Sequence, residues 1–148
     1  MIFRRITPDD IGEVVRLERL CYNVPWTEED CIREVNDNPF SHGWLMIEEG
    51  RILGYAFLWE AYELSEVARI AVDPALRKKG LGYALMQFLL ADAREHGCEV
   101  MSLECRASNT AGLRLYAKCG FTRTHRSKGY YSDGEDAVVM TKQLKESL

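Results

Sequence analysis

The chain has 148 residues, of which 47% are hydrophobic and 28% charged, and its net charge is −4. That balance fits one folded domain over residues 1–148, burying roughly 68–70% of the surface its unfolded chain exposes. It argues against direct nucleic-acid binding, which needs a basic face, and no apolar run approaches the ~18 residues of a membrane span.

Taken in chain order, residues 2–6 read as a short strand. Thr7-Pro8-Asp9-Asp10 reads as a helix start, with threonine as N-cap, proline in the first position and acids in the first turn. Val14, Leu17, Leu20 and Cys21 follow at helical spacing. Thr27-Glu28-Glu29-Asp30 starts a second helix running to about Asn36. Residues 43–49 and 51–60 form two strands joined at Glu49-Gly50-Arg51, and residues 64–72 form a third. Residues 80–96 form a helix with a stripe of Leu81, Leu85, Phe88, Leu89 and Ala93, and Gly97 stands at its C-cap. A strand over 99–105, a helix from Ser108-Asn109-Thr110 to near Gly120, and two strands over 121–131 and 136–144 complete the order. The expected architecture is a mixed α/β sheet flanked by about four helices.

Residues 1–6 carry no signal-peptide pattern, which predicts a cytoplasmic protein. The five cysteines are odd in number and form no C-x-x-C pair, as reduced thiols would. His42, His96 and His125 are scattered and make no His/Cys cluster with ligand spacing, so no metal is expected. Residues 1–50 hold eleven acids and five arginines, a local net of −6. That third of the chain would suit a basic substrate, or equally a solvated acidic helix face.

The sharpest signal follows the strand ending in Ile70, Ala71 and Val72. Arg77, Lys78 and Lys79 make a basic turn, and Gly80, Leu81, Gly82 and Tyr83 open the helix. Backbone N–H groups at such a helix N-terminus, with fixed positive charge, suit a phosphate or pyrophosphate. A Walker loop is excluded because no Lys-Ser/Thr pair follows the glycines. A dinucleotide fingerprint is excluded because its third glycine is missing. What remains is R-x-x-G-x-G. Downstream stands Asn109-Thr110-Ala111-Gly112-Leu113-Arg114-Leu115-Tyr116-Ala117-Lys118-Cys119-Gly120-Phe121.

These two motifs, in this order, resemble the Gcn5-related N-acetyltransferase (GNAT) superfamily over residues 3 to about 142. The resemblance implies a GNAT-like fold, a central twisted mixed sheet with a splayed strand pair. It also implies acetyl-CoA as co-substrate: its pyrophosphate on the glycine turn, and Asn109 and Tyr116 beside the pantetheine and thioester. Pro25-Trp26-Thr27, Ile70-Ala71-Val72-Asp73-Pro74, Leu103-Glu104-Cys105-Arg106-Ala107-Ser108-Asn109 and Tyr130-Tyr131 followed by Glu135-Asp136-Ala137 further resemble the RimI group, the ribosomal-protein-alanine N-acetyltransferases. Cys105 stands where that group usually has valine. The implied partner is the N-terminus of a ribosomal protein.

Acetyl transfer to an amine needs a base for the amine, donors for the oxyanion and an acid for the thiolate. An α-amino group, with a pKa of roughly 7.7–8.0, asks only for a modest base. Glu104 is the candidate base, as the resemblance also implies, and Glu66 on the preceding strand is its rival. Tyr116, two helical turns beyond Asn109, is the candidate acid or else a core tyrosine. Backbone amides near residues 70–72 are candidates for the oxyanion. Trp26, Tyr130 and Tyr131 are candidate walls for a peptide substrate. A small-amine or polyamine acetyltransferase, and a non-catalytic acyl-CoA-binding module, remain alternatives.

Overall fold

The computed structural model describes residues 1–76 and 80–145. In order they form β1 (Ile2–Arg5), α1 (Ile11–Cys21), α2 (Glu28–Asn36), β2 (Ser41–Glu48), β3 (Arg51–Ala61), β4 (Leu64–Val72), α3 (Leu81–Glu95), β5 (Val100–Arg106), α4 (Thr110–Lys118), β6 (Thr122–Ser127) and β7 (Ala137–Gln143). The seven strands lie in the sheet order β1-β2-β3-β4-β5-β7-β6, mostly antiparallel, with β4 and β5 parallel. The expected α/β class and element order are both observed. The parallel ladder pairs Leu64, Ser65, Glu66 and Val67 with Val100, Met101, Ser102 and Leu103. The chain divides into two compact units, Met1–Trp59 with Ala68–Leu85, and Glu60–Val67 with Met86–Leu148.

In the first unit, Ile11, Val14, Val15 and Leu17 of α1 are buried with Leu45, Phe57 and their neighbours in one core cluster. The buried face of α1 runs through Glu18, which is 0% exposed, whereas Leu20 is 54% exposed. The expected stripe through Leu20 is therefore displaced, because a carboxylate with strong partners outcompetes a leucine for the inner position. The first helical turn is a 3-10 turn, Pro8–Asp10. There Asp10 accepts the Thr7 N–H at 2.8 Å and two Arg4 N–H groups at 2.8 and 2.9 Å. These bonds, Arg4's above all, hold the Asp10 carboxyl down to about 2. The start of α2 is a capping box: Thr27 Oγ1 accepts the Asp30 N–H and Asp30 accepts the Thr27 N–H.

In the second unit, β5 alternates cleanly. Met101, Leu103 and Cys105 are buried, while Glu104 is exposed, the pattern of a strand with one covered face. Leu85 ends the first unit's share of α3; in the second unit's share, Met86, Leu89, Leu90 and Ala93 are buried and Phe88 is only half-buried. One expectation fails here. The strands expected over 121–131 and 136–144 shorten to β6 and β7, leaving residues 128–136 as a loop. The adjacent Tyr130 and Tyr131 have strand-like propensity, but Gly129 (φ +63°) and Gly134 (φ +87°) turn the chain. The Asp136 carboxylate then accepts the Gly129 N–H at 2.9 Å.

Candidate active site

In the first unit, Gly80 has φ +73°, a conformation glycine adopts without steric cost. Its carbonyl accepts the Ala84 N–H at 3.1 Å, so α3 begins immediately after it. The amides of Leu81, Gly82 and Tyr83 occupy the first turn, where an α-helix supplies no internal acceptor and the dipole is positive. Arg77, Lys78 and Lys79 lie outside the described residues.

The end of β4 is held by its carbonyls. The Tyr22 phenol donates to Ile70 at 2.5 Å and the Cys21 thiol to Val72 at 3.4 Å. The Ala71 carbonyl instead faces β3, 2.6 Å from where a Cβ on Gly54 would stand. Because successive residues of a strand address opposite edges, the amides of Ile70 and Val72 share one edge and that of Ala71 lies on the other.

Trp26 is half-buried and set 5.5 Å from the Phe57 ring. Its position depends on an ion pair that the sequence reading missed. Arg69 donates to the Glu18 carboxylate through Nε at 3.1 Å and Nη2 at 3.0 Å. Tyr55 also donates to Glu18, and so does the Trp26 N–H, at 2.7 Å. The guanidinium lies 3.6 Å from the Tyr22 ring centroid and 5.2 Å from that of Trp26, and it donates to the Val24 carbonyl at 3.1 Å. One buried pair thus fastens the connection between α1 and α2. Its only signal was a pair of charges inside apolar runs, Glu18 on a helix face and Arg69 in a strand.

In the second unit, Glu66 is paired in register with Ser102. Glu104 lies two residues beyond Ser102 on β5, so the two carboxyl groups share a face of the sheet. Burial, and then the charge of Glu104, raise the Glu66 carboxyl above its ordinary value. The Glu104 carboxylate, facing Tyr130, raises its phenol; Tyr131 is raised first by burial and then by Glu104. The two tyrosine rings meet edge-on at 5.1 Å. Arg106, a possible neutraliser of Glu104, is engaged elsewhere: it donates to Asp133 at 2.8 Å and Glu135 at 2.9 Å and lies 4.0 Å from the Tyr131 centroid. It orders the 128–136 loop and leaves the Glu104 carboxylate at the surface.

Asn109 is the N-cap of α4, its side-chain oxygen accepting the Gly112 N–H at 2.9 Å. What it can offer a cofactor is therefore its NH₂ group. Tyr116 is 8% exposed and packs edge-on against Phe121 at 6.3 Å. Glu66, Glu104, Tyr130 and Tyr131 are brought together; Tyr116 and Asn109 occupy the ends of α4.

Comparison with known proteins defines the class. Residues 11–121 match the acetyltransferase (GNAT) family, and the chain belongs to it. A Bacillus subtilis (strain 168) relative, provisionally named a ribosomal protein bS18-alanine N-acetyltransferase, is 31% identical over 97% of this chain and 95% of its own length. The crystal structure of the Escherichia coli ribosomal-protein-S18-alanine N-acetyltransferase has a TM-score of 0.90 at 25% identity, covering 99% of this chain and 96% of that one. The structure of Salmonella typhimurium yncA, provisionally named an acetyltransferase and solved with its cofactor acetyl-CoA, shares the fold with a TM-score of 0.78 at 22% identity, covering 100% of this chain and 96% of that chain. Among the described residues, no helix is long and apolar enough to cross a membrane.

Proposed function

We propose that this GNAT acetyltransferase transfers the acetyl group of acetyl-CoA directly to the N-terminal α-amino group of a ribosomal protein, with alanine as the preferred first residue, in the cytoplasm. The observation that carries the reading is the Glu66–Glu104 pair beside Tyr130. It provides a carboxylate base within a small aromatic setting, suited to an α-amine whose pKa is roughly 7.7–8.0. The names of the full-length relatives support the ribosomal substrate.

Glu104 takes the proton from the ammonium, directly or through one water, and the free amine attacks the thioester carbonyl. The Ile70 and Val72 amides are the candidate donors to the oxyanion. Collapse expels the CoA thiolate, which Tyr116 protonates, and the second proton shed by the acetylated nitrogen restores the phenol. The first-turn amides of α3, with Arg77, Lys78 and Lys79, hold the pyrophosphate, and the Asn109 NH₂ binds the pantetheine. Trp26, Tyr130 and Tyr131 contact the peptide.

The test uses short peptides differing only in their first residue. Alanine should give the highest kcat/KM, and Glu104→Gln should lower turnover by ~10²–10⁴-fold with acetyl-CoA affinity nearly unchanged. A polyamine turned over faster than every peptide would refute the substrate assignment. Normal turnover in Glu104→Gln with loss in Glu66→Gln would transfer the base role to Glu66.

A further inference from the structure

In the first unit, one side chain that no motif marks ties the start of the α1–α2 connection to the end of β4. Tyr22 is the C-cap of α1, where its N–H donates to the Glu18 carbonyl at 2.9 Å. Its phenol reaches β4 and donates to the Ile70 carbonyl at 2.5 Å, and the Arg69 guanidinium covers its ring, 3.6 Å from the centroid. Burial above all pushes the phenol up to about 12, so it stays protonated, and able to donate, throughout the neutral range.

Three successive peptide planes at the end of β4 are each fixed in a different way. The Val72–Asp73 plane is held at both ends, by the Cys21 thiol on the Val72 carbonyl at 3.4 Å and by the Asp73 N–H on the Leu53 carbonyl at 2.8 Å. The Ala71–Val72 plane carries the Val72 N–H at one end, and at the other its Ala71 carbonyl is set against Gly54. The Ile70–Ala71 plane lies between the amides of Ile70 and Val72, and the Tyr22 phenol holds its carbonyl end. Each peptide unit is rigid. Turning the Ile70 carbonyl therefore changes the torsions at Ile70 and Ala71, which set the relative aim of the two amides.

Donors aimed in advance at a developing oxyanion stabilise it far more than donors that must turn during the reaction. We propose that Tyr22 is a positioning residue for acetyl transfer: its phenol fixes the Ile70 carbonyl and so keeps the Ile70 and Val72 amides aimed together. This role rests on the reading of those two amides as the oxyanion donors. It also divides the labour within one network. Glu18 and Arg69 hold the α1–α2 connection, Glu18 accepting the Trp26 N–H and Arg69 donating to the Val24 carbonyl, whereas the phenol acts on the strand.

The test is Tyr22→Phe in the full-length chain, which keeps the ring under the Arg69 guanidinium and removes only the hydroxyl. Acetyl-CoA isotopically labelled at its acetyl carbonyl is followed by infrared difference spectroscopy, free and bound, without peptide. Binding to the parent should lower the carbonyl stretching frequency, because the amides draw electron density onto the oxygen. Tyr22→Phe should return most of that shift while acetyl-CoA affinity stays nearly unchanged. Peptide kcat should fall about tenfold with little change in peptide KM, short of the ~10²–10³-fold that follows loss of an oxyanion donor itself. A lowered frequency that Tyr22→Phe leaves in place, or a loss lying wholly in KM, would overturn the role of Tyr22. No lowering in the parent would overturn the assignment of the two amides and this role with it, so the parent spectrum tells the two failures apart.

Discussion

Arg69→Met removes the only side-chain cation bonded to Glu18 in the described network and leaves a carboxylate that is 0% exposed. Tyr55 and the Trp26 N–H still donate to it, so the loss falls toward the lower end of the about 3–5 kcal/mol seen when one partner of a buried pair is deleted. The stacking of the guanidinium over Tyr22, at 3.6 Å, adds about 0.5–1 kcal/mol. A total of about 3–4 kcal/mol corresponds to a fall in Tm of roughly 6–16 °C for a chain of this length. Urea unfolding of the parent, Arg69→Met, Glu18→Gln and the double variant completes a cycle. The double variant should cost less than the sum of the singles, because a neutral amide no longer needs the cation. The connection between α1 and α2 should loosen in Arg69→Met, and peptide KM should rise more than acetyl-CoA KM. A cost below about 1 kcal/mol, or strict additivity in the cycle, would refute the view that this pair organises the connection.

Glu104→Gln removes the charge that helps raise Glu66, so the Glu66 carboxyl should titrate at lower pH in the variant, read by NMR of a labelled carboxyl or by the acid limb of the residual kcat/KM. Asp10 is held down to about 2, mainly by Arg4. Its contribution is thus complete above the ordinary carboxylate pKa and lost as pH falls from about 4 to about 2. Allowing for the half-exposed Arg4, the parent should lose about 1–2 kcal/mol more than Asp10→Asn between pH 5 and 2. Gly54→Ala would set a Cβ 2.6 Å from the Ala71 carbonyl oxygen and 3.2 Å from the Val72 Cα. Neither backbone atom can swing aside, so the urea midpoint should fall by an amount equivalent to about 1–3 kcal/mol.

Most of the fold was legible because its signals are local. The capping residues Thr7, Thr27 and Asn109 and the alternation of β5 each arise from neighbours within a few residues, and the structure shows them in place, whereas the buried face of α3 takes Met86 and Leu90 in place of Leu81 and Phe88. The misreading of residues 128–131 as strand has the opposite origin. Tyr130 and Tyr131 have strand-like propensity, but Glu104 and Arg106, about twenty-five residues away, claim their rings. Leu20 lost its expected place inside to Glu18 for the same kind of reason.

By itself the sequence determined the order of elements, the membership in a family of acetyltransferases and the candidate residues of the two motifs. Periodicity, capping and glycine turns depend on short-range sterics that a linear string records. Only the tertiary structure decided which charges meet. The Glu18–Arg69 pair joins residues 51 apart, Glu66 senses Glu104 across two strands, and Glu60 reaches a helix end through His96. Electrostatic and hydrogen-bond energies depend on separation and burial in space, and those quantities exist only once the sheet is assembled.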